Sequence, residues 1–354
     1  MQHFRLSFIL TFVLMAAAGW WGFHQDGARG LLEAVWQAGV LAVLEVSLSF
    51  DNAVVNASVL RHWDERWRRL FLTVGMIVAV FGMRLLFPLL IVSFAGDMSL
   101  ADVWHMATAT PEVYAAQLEK AHGQIAAFGG AFLLLVFLNF LVDEEKELHW
   151  LGWLEKKFGQ HGSESLAVML ALSAVFGCVA LVPAAQKYAV LSAGVLGVTT
   201  YMAVHWLSTL LEDEQPADDV DDVTETGVGQ VVAAMARGSI GGFLYLEVLD
   251  ASFSFDGVIG AFAISSDVVI IMLGLAIGAM FVRSLTVFLV NQGTLDDYVY
   301  LEHGAHYAIG LLALIMLASV RYEIPDWFTG LSGVAFIGVS LWSSIRYRGR
   351  RPAE

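Results

Sequence analysis

Apolar runs of eighteen residues or more recur along the whole chain, and very little besides a bundle of membrane-crossing helices accommodates them. At about 1.5 Å of rise per residue, each run can span a hydrocarbon layer about 30 Å thick. Composition agrees: 58% of the 354 residues are hydrophobic and 15% charged, with a mean hydropathy of +0.67. A soluble domain carries roughly 25% charged residues. The expected fold class is an all-α polytopic membrane protein of about ten (8–10) transmembrane helices.

Hydropathy and flanking charge place the spans near residues 4–22, 31–60, 70–94, 124–142, 165–183, 186–211, 236–263, 267–291, 304–320 and 326–346. The first reads as an uncleaved anchor, because its apolar run ends on an interfacial pair, Trp20 and Trp21. Arg and Lys in short loops set orientation. Four arginines follow the second span, three lysines lie between Asp143 and Glu164, and four arginines close the tail. All fall on one side of a ten-span chain, which puts both termini in the cytoplasm of a multi-pass cytoplasmic-membrane protein. The single cysteine, Cys178, rules out a disulfide within the chain and reads as a packing residue. A net charge of -15 argues against nucleic acid as a partner and is compatible with handling cations. Between Glu212 and Glu225, eight acids in fourteen residues read as a solvated linker, or as a collector of divalent cations.

The chain also repeats itself. EVSLSFD, Glu45 to Asp51, returns as DASFSFD, Asp250 to Asp256. Gly75 and Arg84 in the next span match Gly274 and Arg283, and a fainter pairing sets Gly130 opposite Gly310. Two three-helix copies result, 31–164 and 236–325, preceded by an anchor at 1–30, joined by connecting helices and the acidic loop at 165–235, and followed by a last helix and basic tail at 326–354. Five spans separate equivalent helices, and an odd number inverts the second copy in the membrane. Inverted repeats around a midplane site are an architecture of secondary transporters.

An ionisable side chain at mid-membrane is penalised by about 2.5–3.5 kcal/mol even on a lenient scale. Glu45, Asp51, Asp250 and Asp256, with Glu247 as a possible fifth, exceed what Arg84 and Arg283 can neutralise. The surplus calls for a cation or protons as coupling ion. At 100° per residue, Glu45, Ser49, Asn52 and Asn56 share one stripe while Asp51 faces away; Asp250 and Ser254 repeat the pattern with Asp256 opposed. Helices broken near Ser49 to Asn52 and near Ser254 to Gly257 would turn both acids of each copy to one point; straight helices would let only Asp51 and Asp256, or only Glu45 and Asp250, meet at the midplane. The donors are hard oxygens, suited to Mn, Mg or Ca rather than Zn or Cu. None of the ten histidines lies in the two motifs; His205, His303 and His306 read as interfacial or packing residues. No nucleophile–base set or cofactor loop is visible, so neither an enzyme nor a prosthetic group is expected.

LEVSLSFDNAVVNA and LEVLDASFSFDGVIGAFA resemble the two signatures of the TerC/YkoY membrane proteins, within the wider LysE-type exporters, and their relatives of unknown function. The resemblance implies Mn2+ efflux, with tellurite resistance as the historical label. By motif position, it makes Glu45, Asp51, Asn52, Glu247, Asp250 and Asp256 ion-site residues, supported by Ser49, Asn56, Ser254, Arg84 and Arg283. The expected function is export of a divalent cation, Mn2+ foremost, by alternating access. The alternatives are a membrane scaffold or metal-delivery partner in a stress-resistance complex, and an exporter of a small organic cation or amino acid.

Overall fold

The computed structural model describes residues 4–75, 77–143, 146, 148–161, 163–212, 238–291 and 298–348. The described residues form thirteen α-helices and two π-helical segments. Seven helices are long and apolar enough to cross a membrane: α1 (Arg5–Leu48), α6 (Pro111–Val142), α8 (Glu164–Leu181), α9 (Ala184–Glu212), α11 (Val268–Asn291), α12 (Leu301–Ser319) and α13 (Asp326–Arg348). The chain is a multi-pass membrane protein with a lipid bilayer as its surroundings.

Seven is fewer than the ten expected, and each difference has a physical cause. The first two expected spans fuse into α1, whose 44 residues would extend about 66 Å if straight. It is not straight. Asp26 (φ -141, ψ 35) and Gly27 (φ 55, ψ -141) leave helical geometry and fold the helix back on itself, with Gly22 packed directly on the Gly30 carbonyl. A positive φ with this ψ is nearly confined to glycine, which is what residue 27 supplies. The expected span 70–94 is broken into α3 (Glu65–Leu70), π segments at Phe71–Gly75 and Val78–Leu86, and α4 (Phe87–Gly96). The expected span 236–263 is helical as α10 (Ile240–Ala261), but Glu247, Asp250 and Asp256 make it too charged to qualify on apolarity.

The two arms of α1 lie along α11. Ser7 Oγ donates to the Met280 carbonyl at 2.7 Å and meets Ser284 Oγ at 2.6 Å, while Trp21 Nε1 and Gln25 Nε2 donate to Asp267 at 2.8 and 2.7 Å. The first arm thus runs antiparallel to α11. In the second arm, Ala38 and Leu41 abut Gly274, and Ala42 and Glu45 abut Gly278, so this arm runs parallel to it. A methyl group on Gly278 would collide with the Glu45 side chain. Across the molecule, Phe243 and Glu247 of α10 abut Gly75 in the same parallel sense.

Helix α6 is the centre of the core, with Phe132, Leu133 and Leu135 fully buried. It packs antiparallel on α12: Gly130 meets Leu317, and Gly310 meets Phe137. Large apolar side chains face outward on the first arm of α1 (Phe8, Phe12, Trp20), on α8 (Phe176) and on α13 (Trp342), as lipid contact requires.

Candidate functional site

Helix α2 (Phe50–Leu60) continues α1 after a bend at Ser49 (φ -102, ψ 15). Of the broken and straight arrangements, the first copy takes the broken one, as a kink. It does not unwind the chain, since Ser49 N–H still donates to the Glu45 carbonyl at 2.9 Å and Ala53 N–H to the Ser49 carbonyl at 3.1 Å. The second copy takes the straight one: α10 runs unbroken through Ser254 to Gly257. Gly257 faces Glu45 Oε2, and a Cβ there would meet it at 3.4 Å, an ordinary contact.

Glu45 is 1% exposed and accepts hydrogen bonds from Ser49 Oγ at 2.7 Å and from Arg84 Nη2, with which it forms a buried ion pair. Arg84 also donates through Nη1 to the Ala79 carbonyl at 2.8 Å. The π geometry of Val78–Leu86 widens the turn between those two residues. Asp250 accepts from Asn56 Nδ2 at 2.8 Å, the direct link between the two acid-bearing helices. Arg283 does not mirror Arg84; its Nε donates to the Leu72 carbonyl at 2.7 Å.

These groups surround one cavity of about 20 Å³, lined by Asn52, Asn56, Ala79, Arg84, Asp250, Ala279, Arg283 and Thr286 with Phe71, Leu72 and Val282. That volume holds about one water-sized occupant. Both Asn52 Oδ1 and Asn56 Oδ1 are buried without a hydrogen-bond partner. Unmatched buried carbonyl oxygens cost roughly 1–3 kcal/mol each, which an occupant able to receive their lone pairs would recover.

The helical stripe expected of Glu45, Ser49, Asn52 and Asn56 is therefore kept, and Asp250 joins it from α10. Asp51 lies apart. Its Oδ1 accepts from Asn52 N–H at 2.9 Å in the first turn of α2, and its Oδ2 faces α13 across Gly333. Glu247 lies against Gly75, off the cavity, with both carboxylate oxygens buried and unpartnered. Ser254 Oγ is likewise buried without a partner. The Asp256 backbone belongs to α10, and its side chain, like the loop from residue 213 to 225, lies outside the described residues. Among the described residues, no three His, Cys, Asp or Glu side chains converge as a metal cluster. Of the two arginines set against the surplus of acids, Arg84 pairs with one, and Arg283 takes the Leu72 carbonyl.

Sequence reasoning passed over a second polar cluster. Glu155 of α7 (Gly152–His161) is 1% exposed and accepts from Leu151 N–H at 3.0 Å and Tyr307 Oη at 3.0 Å. His303 Nε2 lies 2.9 Å from the Leu148 carbonyl and 3.6 Å from Glu155. His306 stacks on Phe140 at 4.0 Å, and His205 sits 3.6 Å from Glu164. All three histidines take part in packing at helix ends. The available signal was Glu155 among the aromatic residues Trp150 and Trp153, in a stretch of mixed charge where one acid does not stand out from the others.

A family model described as a protein of unknown function, DUF475, matches residues 50–351. That match replaces the resemblance to the TerC/YkoY proteins, which rested on two short acid-bearing motifs, whereas this one runs through most of the chain. The chain is 37% identical over 98 residues to the uncharacterized membrane protein YceF of Bacillus subtilis (strain 168), covering 27% of this chain and 37% of that relative. The chain thus matches little more than a third of that relative's length. No solved structure matches it.

Proposed function

As the chain belongs to the DUF475 family, whose function is unknown, we propose from its own site that it is a membrane carrier exporting a hard divalent cation, with Mn2+ the first to test. The observation that carries the reading is the water-sized cavity lined by Asp250, Asn52 and Asn56, two asparagines whose amide oxygens are buried and unpartnered. One carboxylate, two amide oxygens and water form a hard oxygen set of the kind that Mn2+, Mg2+ and Ca2+ accept and that Zn2+ and Cu2+ do not favour. Glu45, beside the cavity behind Arg84, adds a second carboxylate within the same group.

Reciprocal contacts support an inverted repeat and hence alternating access. Gly130 meets Leu317 and Gly310 meets Phe137, and each partner lies seven residues after the glycine matching its own half. The arm of α1 carrying Glu45 packs parallel to α11, and α10 packs parallel to the segment bearing Gly75. Each acid-bearing helix therefore leans on the arginine-bearing segment of the other half, as two copies related by a two-fold axis would. The halves also differ in conformation: the first is kinked at Ser49 and π-helical before Arg84, the second is straight. Two such halves exchanging conformations would open the cavity first to one side and then to the other.

Arg84 and Arg283 on the same wall as Asp250 favour a second reading, a small zwitterion as cargo. The cavity of about 20 Å³ favours a single ion. A membrane scaffold that binds the ion without moving it would show binding and no flux. Mn2+ binding to the purified full-length protein, followed by the electron paramagnetic resonance signal of free Mn2+, separates these. The double variant Asn52→Ala, Asn56→Ala is expected to bind about tenfold more weakly or worse, about 1.4 kcal/mol or more. Affinity equal to the unaltered protein would remove the amide oxygens from the site and the reading with them.

A further inference from the structure

Arg84 and Arg283 occupy matching positions in the two copies, yet they are engaged differently. Arg84 grips Glu45, the acid of its own copy, inside the protein, with side-chain exposures of 7% and 1%. Arg283 holds the Leu72 carbonyl at 2.7 Å, while Asp250, the matching acid, is bonded by Asn56 at 2.8 Å. Both guanidinium groups line the cavity that Asp250 lines. A fixed structural ion pair would be expected in both copies or in neither. Here the pair is made where the helix is kinked and π-helical, and unmade where it is straight.

Resting on the carrier reading above, we infer that the two arginines are tethered counter-cations that take turns. In the conformation described, Arg84 neutralises Glu45; in the conformation with the halves exchanged, Arg283 leaves the Leu72 carbonyl and neutralises Asp250 while Arg84 releases Glu45. An empty carrier has to reorient with buried carboxylates that no cargo neutralises, at several kcal/mol per uncompensated charge. A guanidinium held on one of the two acids in each conformation leaves one uncompensated carboxylate instead of two without a cargo ion, and it leaves again when cargo binds. The arginines then govern the return of the empty carrier, not the passage of the loaded one. The roles differ from those of helix glue, which would matter equally to both steps.

Two assays on the full-length protein in proteoliposomes read these steps separately. Net Mn2+ efflux requires the empty carrier to return; exchange of labelled Mn2+ with equal Mn2+ on both sides needs only the loaded carrier. Arg84→Gln is expected to lower net efflux at least about tenfold more than it lowers exchange, and Arg84→Lys, which retains a cation, to recover net efflux in part. Should Arg84→Gln fail to fold, Arg283→Gln is the deciding variant, with the same split expected. Efflux and exchange falling together, or both staying unchanged, in the folded variant overturns the inference. Absence of Mn2+ exchange in the unaltered protein would instead overturn the carrier reading beneath it.

Discussion

Glu45 shows how one residue's surroundings set its role. It sits beneath Gly278, bonded by Ser49 and paired with Arg84, so nothing bulkier than glycine fits above it. Removing one member of a buried pair leaves the other charge uncompensated, at about 3–5 kcal/mol. Glu45→Gln is therefore expected to lower the thermal unfolding midpoint of the detergent-purified protein by several degrees, and an unchanged midpoint would show that the pair is not held as described. The sequence already marked Glu45, Asp250 and both arginines, because charge at membrane depth is costly enough to stand out. It gave no sign of Gly278 as the residue that seats Glu45. A glycine among apolar neighbours reads the same whether it permits a bend, a close approach or nothing at all.

At the scale of elements, the stripe of Glu45, Ser49, Asn52 and Asn56 was legible because the bend at Ser49 leaves the i to i-4 bonding in register. That α10 stays helical through Gly257 was not legible, since a glycine within a helix permits a break without requiring one. The π turns before Arg84 carry no local pattern that separates them from α-helix. The fold-back of α1 was read only as a gap between two spans, and its polar ends, Ser7 on Ser284 and Trp21 on Asp267, depend on residues more than two hundred positions away. The hinge itself offers a test. With φ at 55 and ψ at -141, Gly27→Val is expected to cost about 1–3 kcal/mol, measured by thermal unfolding. Equal stability would mean that the two arms of α1 do not turn there.

For the whole molecule, basic loops and the apolar runs were enough to recover a polytopic helical protein, while the number of qualifying spans was not, because the site-bearing segments are broken or charged. Both termini are expected in the cytoplasm. Reporter fusions at each end should be active only for a reporter that works inside the cell, and activity of an exported reporter at either end would reverse the orientation. The motif resemblance misled on family because a few buried acids recur for chemical reasons that unrelated or distant chains share. What the structure adds is the meeting of α2 and α10 at Asn56 and Asp250, beside a water-sized space.

That meeting point can be tested most directly by following Mn2+ efflux from proteoliposomes containing the full-length protein or its Asp250→Asn variant, which keeps the shape and removes the charge. A carboxylate that coordinates the cargo predicts a loss of at least about tenfold, about 1.4 kcal/mol, for a correctly folded variant. Equal efflux from the two proteins would contradict the account.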